Sequence, residues 1–446
     1  MNILIIGAGD VGFHLGRRLS QEKHNITIID RNSLLVKRAA EQLDALVVEG
    51  HGASYGILRQ AGVEDTDILA AMTNNDEVNL LACRIGKKAG VPITIARIRN
   101  HEITDPDFIL SHQELGVDMF IHPEMETARA ITRLLKQSEA TDVIEFAGGK
   151  CQILGIRLED DSPATGIPLK ELARQHPHTP QRVVAVNRRQ KTLIPGGDDS
   201  LQSGDQIFVV CRPDDIQQIM EMTGKSETKI NDIMILGGGL IGQFIARALS
   251  REYHMKIIES NVARSQEIAN ILPNSLIIHG DGTDLDLLAS EGLMEMDAFA
   301  AVTGDDETNI ISTLVARHLK VPRTIALVNN VDYLPITPTI GMDAVVSKQL
   351  ITVNAVRRFI RHKMVASIAS LPEIDAEIIE FYASRESRIT RKPLKHIRFP
   401  KSAIAGAILR GDQFLLPTGE TQIQPGDTIV VFSLPEARQE VERLFQ

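Results

Sequence analysis

Over its N-terminal quarter the chain is a succession of short apolar runs separated by longer stretches in which apolar positions recur every three to four residues. The runs are "NILIIG", "NITIID", "ALVVEG", "DILAAMT", "PITIARI" and "DMFIHP". They are rich in Ile and Val and lack the apolar/polar alternation of a strand with one wet face. They therefore predict strands covered on both sides, with helices between them, the first starting at Val11. Strand and helix in strict alternation predict a parallel sheet with helical crossovers, a doubly wound Rossmann-type α/β unit.

The same pattern returns. Laid over itself at an offset of 230, the chain aligns Gly7, Gly9 and Gly12 with Gly237, Gly239 and Gly242, and "TNNDEVN" (73–79) with "TGDDETN" (303–309). "VPITIARIRN" (91–100) falls on "VPRTIALVNN" (321–330). Agreement over such a length marks an internal repeat. After each copy the texture changes to short strands and turns, ending in "LQSGDQIFVVC" (201–211) and "IQPGDTIVVFS" (423–433). The expected organisation is a Rossmann domain over 1–140, a small α+β domain over 141–224, a second Rossmann domain over 231–370 and a second small domain over 371–446. The polar "GKSETKIND" (224–232) is the expected linker between the halves.

Composition narrows the class. The 446 residues are 43% hydrophobic and 24% charged, the balance of an ordinary globular chain with several cores. The net charge of −10 argues against a nucleic-acid surface. Apolar runs such as "IFVV" (207–210) reach only strand length, so no membrane span is expected. Met1 leads straight into a strand, from which no secretory leader and a cytosolic place of work are expected. Cys83, Cys151 and Cys211 are too few and too scattered for a disulfide framework or a thiolate zinc site, and read as core filling.

The repeated glycine turn carries the candidate chemistry. In each copy G-x-G-x-x-G follows a strand and opens a helix, the context a dinucleotide fingerprint requires. Its first glycine permits the tight turn, its second lets backbone approach a pyrophosphate, and its third lets helix pack on sheet. Amides and helix dipole then face the phosphates. The candidate contacts are Gly7, Ala8, Gly9, Asp10, Val11 and Gly12 in the first copy. Gly237, Gly238, Gly239, Leu240, Ile241 and Gly242 are their counterparts in the second. Asp30, with Arg31 beside it, and Glu259 close the next strands, where an acid accepts from a ribose diol and repels a 2′-phosphate. NAD is thus expected in preference to NADP.

Thr73 and Asn74, matched by Thr303 and Gly304, end the fourth strand, where they suit a ribose or phosphate edge or simply cap the helix that begins near Asp76. Arg97 and Arg99, two apart on one strand, would share a face and either meet phosphate oxygens or form a surface ion pair. Their mates are Leu327 and Asn329, so the halves are not expected to be equivalent. The histidines nearest the candidate clefts have no histidine mate: His51 matches Asp281 and His122 matches Ser347. There is no H-E-x-x-H or P-loop. Binding without catalysis is the expectation; an NAD-dependent oxidoreductase is the alternative.

The order of modules, with "GAGDVG" and "GGGLIG", "TNNDEVNLL" and "TGDDETNII", "SGDQIFVV" and "PGDTIVVF", resembles the tandem RCK (KTN) regulatory subunits of Trk-type potassium-uptake systems over essentially the whole chain. The resemblance implies two RCK-N domains, each followed by an RCK-C module. It also implies NAD(H) and often ATP or ADP in the clefts, and a tetrameric ring of chains at the inner face of the membrane. There the ring would gate a separate potassium-translocating subunit; regulation of another cation transporter is the variant reading. Carried over by position, the ligand contacts would be Gly7 to Val11, Asp30, Thr73, Asn74 and Arg97, then Gly237 to Ile241, Glu259, Thr303 and Gly304. Leu327 removes the arginine from the second set.

Overall fold

In the computed structural model, which describes all residues except 106, 138–139, 190, 226–228, 335, 338–339, 341, 361–364 and 371–375, the first six apolar runs form one sheet. Its strands are β1 (Asn2–Ile6), β2 (Asn25–Asp30), β3 (Leu46–Glu49), β4 (Ile68–Ala71), β5 (Ile93–Arg97) and β6 (Met119–Ile121). They lie in the order 3-2-1-4-5-6, all parallel. Leu4, Ile5, Leu69 and Ala70 are wholly buried, as the continuous apolar runs require of strands covered on both faces. The winding reverses between β1 and β4. A crevice therefore opens beyond the C-terminal ends of those two strands, where the flanking crossovers turn away to opposite sides.

A five-stranded antiparallel sheet follows: β7 (Asp142–Phe146), β8 (Cys151–Arg157), β9 (Gln181–Arg188), β10 (Lys191–Leu193) and β11 (Gln206–Cys211), in the order 10-9-11-8-7. The second half repeats both sheets. Strands β12 (Asp232–Leu236), β13 (His254–Glu259), β14 (Ser275–His279), β15 (Ala298–Ala301), β16 (Arg323–Leu327) and β17 (Ala344–Val346) lie parallel in the order 14-13-12-15-16-17. Strands β18 (Val365–Ser370), β19 (Glu377–Tyr382), β20 (Ala403–Arg410), β21 (Gln413–Leu415) and β22 (Thr428–Ser433) lie in the order 18-19-22-20-21. Of the expected linker 224–232, positions 226–228 lie outside the described residues, as does position 371 at the expected start of the last domain.

The chain forms two compact units. One comprises Met1–Thr127 with Lys348–Phe359, and the other Ala128–Ser347 with Ile360–Gln446. In the first, the Lys348–Ile360 helix runs beside the Asp10–Gln21 helix: Arg357, only 1% exposed, donates to Glu22 Oε1 from Nε at 2.7 Å and from a terminal nitrogen at 2.5 Å. Removing either partner would strand a buried charge. In the second unit Lys136 Nζ reaches Glu252, the repeat mate of Glu22, at 3.0 Å. The inner faces of the two small sheets there share one core, in which Phe146, Val184 and Phe208 meet Ile378, Ala407 and Phe432.

A buried asparagine fixes the sheet ends that border the crevice. Asn79 Oδ1 accepts from the Thr73 amide (3.0 Å) and hydroxyl (2.7 Å), while its Nδ2 donates to the carbonyls of Thr73 (3.0 Å) and Arg97 (2.8 Å). Asn309 makes the same four bonds to Thr303 and Leu327. Each asparagine thus uses its full donor and acceptor set to tie the end of the fourth strand to the end of the fifth. Asn79→Ala should leave the Thr73 N–H and the Arg97 carbonyl unpaired, at about 1–3 kcal/mol for each group that stays buried. Amide exchange over the β4 end, followed by mass spectrometry, should then accelerate by at least tenfold; wild-type protection there would show that the asparagine does not hold these strand ends.

Candidate functional site

The crevice of the first unit is a cleft of about 760 Å³, within the range of nucleotide-sized pockets. One wall is the glycine turn. Gly7 takes φ +101°, a left-handed conformation open to glycine, and its N–H donates to the Ile29 carbonyl at 2.7 Å. A Cβ on Gly12 would stand 1.8 Å from the Gly7 carbonyl oxygen, so the turn and the first helical turn fit together only with glycine there. A Cβ on Gly9, by contrast, would meet nothing within 4 Å, and that face lies open to the cleft. Gly9 is the N-cap of the Asp10–Gln21 helix and has no side-chain cap, so the helix start offers unpaired amides to the cleft at Asp10 and Val11.

Asp30, at the end of β2, holds this turn in place. Its Oδ2 accepts from the Ala8 N–H at 2.6 Å and its Oδ1 from the Asn32 N–H at 2.8 Å. Each carboxylate oxygen has a second lone pair, so the group can still accept from a diol while it positions the loop. Arg31 lines the cleft from the next position and is exposed.

On the far side of the crevice the loop after β4 presents Thr73 and Asn74, while Asn75 caps the following helix by accepting from the Val78 N–H at 2.7 Å. Capping thus falls to Asn75 and leaves Thr73 and Asn74 facing the cleft. Arg97 ends β5 and is 6% exposed. It donates to Asn74 Oδ1 at 2.7 Å and to Glu124 Oε1 at 3.0 Å, and its Nε is buried without a partner. The arginine is a buried, partly satisfied cation at the cleft wall, not half of a surface ion pair.

Arg99 does not join it. β5 ends at Arg97, and the Arg99 and Asn100 amides donate to the Asp76 carboxylate at 2.8–3.1 Å, which turns the chain away from the sheet and leaves Arg99 exposed. The expectation that Arg97 and Arg99 share one strand face is therefore corrected: the strand stops before the second arginine.

Two cleft residues, Lys348 and Gln349, and Glu124 bonded to Arg97 carry no motif of their own. Glu124 begins the helix after β6, and Lys348 and Gln349 begin the corresponding helix of the second half. Lys348 Nζ stands 3.9 Å from Glu124 Oε1, beyond hydrogen-bond reach. Burial pushes its ammonium below the usual lysine range; Glu124 opposes that push and Arg97 adds to it. Glu124 Oε2 and Gln349 Oε1 are buried without donors. Laying β6 over β17 makes Glu124 and Gln349 repeat mates, and the only trace of this wall in the sequence is that paired position.

The second copy reproduces the turn with different chemistry. Gly237 takes φ +110° and donates to the Ile258 carbonyl at 2.9 Å, and Gly242 packs on the Gly237 carbonyl as Gly12 does on Gly7. Glu259 replaces Asp30, accepting from the Gly238 N–H at 3.0 Å and the Asn261 N–H at 2.8 Å. A Cβ on Gly238 would stand 2.4 Å from Ile268 Cδ1 and 3.0 Å from Glu259 Oε2. Gly239 caps the helix that begins Leu240-Ile241, and Gln243 donates to the Gly238 carbonyl at 2.9 Å. Thr303 is held by Asn309, Gly304 is open, and Leu327, in the place of Arg97, is buried.

Among the described residues no cluster of His, Cys, Asp and Glu has metal-binding geometry, and no helix is long and apolar enough to cross a membrane. The three cysteines are buried thiols, and burial pushes Cys151 up to about 12 and Cys83 and Cys211 higher still, so none is a nucleophile.

The TrkA-N domain model matches residues 3–123 and 233–348, and the TrkA-C domain model matches 153–224 and 378–446. Across the full length of both chains the protein is 35% identical to Trk system potassium uptake protein TrkA homolog 1 of Methanosarcina mazei. It is 34% identical to Trk system potassium uptake protein TrkA of Azorhizobium caulinodans, over all of this chain and 99% of that one. The solved structure of the GsuK channel bound to NAD superposes with a TM-score of 0.63 at 19% identity, over all of this chain and 78% of that one, a likeness of fold. The chain belongs to the TrkA family of Trk-system potassium-uptake proteins, built from paired TrkA-N and TrkA-C domains.

Proposed function

We propose that this protein is the regulatory subunit of a Trk-type potassium-uptake system. It binds NAD(H), and ATP or ADP, in its Rossmann clefts and gates a separate potassium-translocating membrane subunit without catalysing a reaction. The observation that carries the proposal is the first cleft, where open amides at Gly9–Val11, the Asp30 carboxylate and Arg97 line one nucleotide-sized space. The residues fit such a ligand: the glycine face is open, and Arg97 brings a buried, partly satisfied cation to the wall. The names of the family's members and the NAD-bound state of the GsuK channel support the same reading.

In this reading the chain keeps its four-module order, and the contacts are Gly7 to Gly12, Asp30, Arg31, Thr73, Asn74 and Arg97. The second set is Gly237 to Gly242, Glu259, Thr303 and Gly304. The glycine turn and helix start bind the phosphates, and Asp30 or Glu259 accepts from the ribose. Arg97 is the charge that separates one phosphate chain from another, and Leu327 leaves the second cleft without it. Chains assemble as a tetrameric ring on the inner face of the membrane. A ligand shifts such a ring only by its difference in affinity for two shapes. Couplings are typically ~1–3 kcal/mol per site, whereas ~5.5 kcal/mol carries a gate from 1:99 to 99:1. One site is too weak, and several clefts per ring suffice.

Calorimetric titration with NADH, NAD, ATP and ADP tests this reading. Saturable binding without consumption of NADH is expected, and binding at 100 times Kd should stabilise the protein by ~2.7 kcal/mol, read as a rise in Tm. Turnover of NADH with a carbonyl substrate would replace the regulator with an oxidoreductase. Asp30→Ala should weaken NADH binding at the first cleft by about tenfold to a hundredfold, through loss of charge-assisted bonds to the ribose and of the support under Ala8. Unchanged affinity in the folded variant would remove the ribose assignment.

A further inference from the structure

We infer that Lys348, carried into the first cleft from the second half of the chain, counts the phosphates of the ligand bound there. Its ammonium would pair with the terminal phosphate of a nucleoside di- or triphosphate, a charge that a dinucleotide lacks. The inference rests on the nucleotide-binding reading of this cleft and adds a residue from outside the Rossmann repeat that forms the glycine turn.

The geometry places Lys348 at the phosphate end. It lines the same cleft as Gly9 and Asp10, and the charges that act on it are those of Glu124, Arg97, Asp10 and Arg99. Asp30, at the ribose end, is not among them. Among the described residues its one ion pair is the 3.9 Å approach to Glu124, and Glu124 gives its better bond to Arg97 at 3.0 Å. A lysine in this position has lost much of its hydration and gained no hydrogen bond from the carboxylate beside it. A phosphate oxygen would restore what burial removed.

The neighbouring charges make a second cation necessary. The carboxylates of Asp10 and Asp30 line the cleft, and that of Glu124 stands against Arg97 and Lys348. Arg97 offsets one of them through Glu124, and its Nε, though unpartnered, is buried. A diester pyrophosphate, one negative charge per phosphate, can rest on the helix amides. A terminal phosphate adds charge beyond them, and a mobile ammonium with three donors suits an oxygen cluster whose position varies with chain length. The repeat mate of Lys348 is Pro123, so this feature belongs to the first cleft alone.

The test is titration of the full-length protein with AMP, ADP, ATP and NADH, with a chelator present so that no metal ion stands in for the ammonium. Wild type, Lys348→Gln and Lys348→Arg are compared at equal folded fraction, checked by thermal melting. Wild type should bind ATP more tightly than AMP. Lys348→Gln should raise the Kd for ATP about tenfold or more while leaving AMP and NADH within about twofold, and Lys348→Arg should restore most of the preference. An ATP-to-AMP ratio in Lys348→Gln equal to wild type would overturn the assignment of Lys348 and leave the nucleotide reading intact. Absence of binding by all four ligands to wild type would overturn both.

Discussion

The first cleft is organised around one buried ion pair, Arg97 with Glu124. Both side chains are almost fully enclosed, and neither charge could be carried there alone without a large desolvation cost. The pair joins the end of β5 to the helix after β6, and Asn74, bonded to the same guanidinium, brings in the loop after β4. Three successive strand ends are thereby fixed by one cation. Its remaining nitrogen points to no protein acceptor, so the group that holds the wall together also leaves it incomplete. A ligand with a phosphate chain has the complementary chemistry.

The repeat shows what happens when that pair is absent. Leu327 takes the place of Arg97 and Gln349 that of Glu124, so cation and anion have been replaced together. That is the outcome expected where loss of one alone would strand the other. The scaffold around them is unchanged: Asn309 ties Thr303 to Leu327 as Asn79 ties Thr73 to Arg97, and Gly242 packs on Gly237 as Gly12 does on Gly7. Fold-determining residues are thus kept in both copies, while the buried ion pair is confined to one. Duplication of the sheet and specialisation of its edge are separable because different atoms carry them.

Local physics made much of this legible in the sequence. Strands buried on both faces show as unbroken Ile/Val runs, the glycine turn shows by its spacing, and the parallel, doubly wound character of both large sheets follows from strict alternation. Arg97 stood out because a cation at the end of a buried strand is unusual. Arg99 misled because the strand was extended two residues too far; the Asp76 carboxylate, 23 positions away, captures the Arg99 amide and ends it. Glu124 and Lys348 carried no local signal. Their importance comes from what they face, and Lys348 is separated by more than two hundred residues from Arg97 and Glu124.

That separation is itself informative. The Lys348–Ile360 helix is seated on the first unit at both ends, by Lys348 in the cleft and by Arg357 on Glu22 at the far end of the Asp10–Gln21 helix. The glycine turn opens that same helix. The starts of two helices, one from each half of the sequence, thus line one cleft of the first unit, and the buried Arg357–Glu22 pair joins the same two helices again at their far ends, where loss of either charge would strand the other.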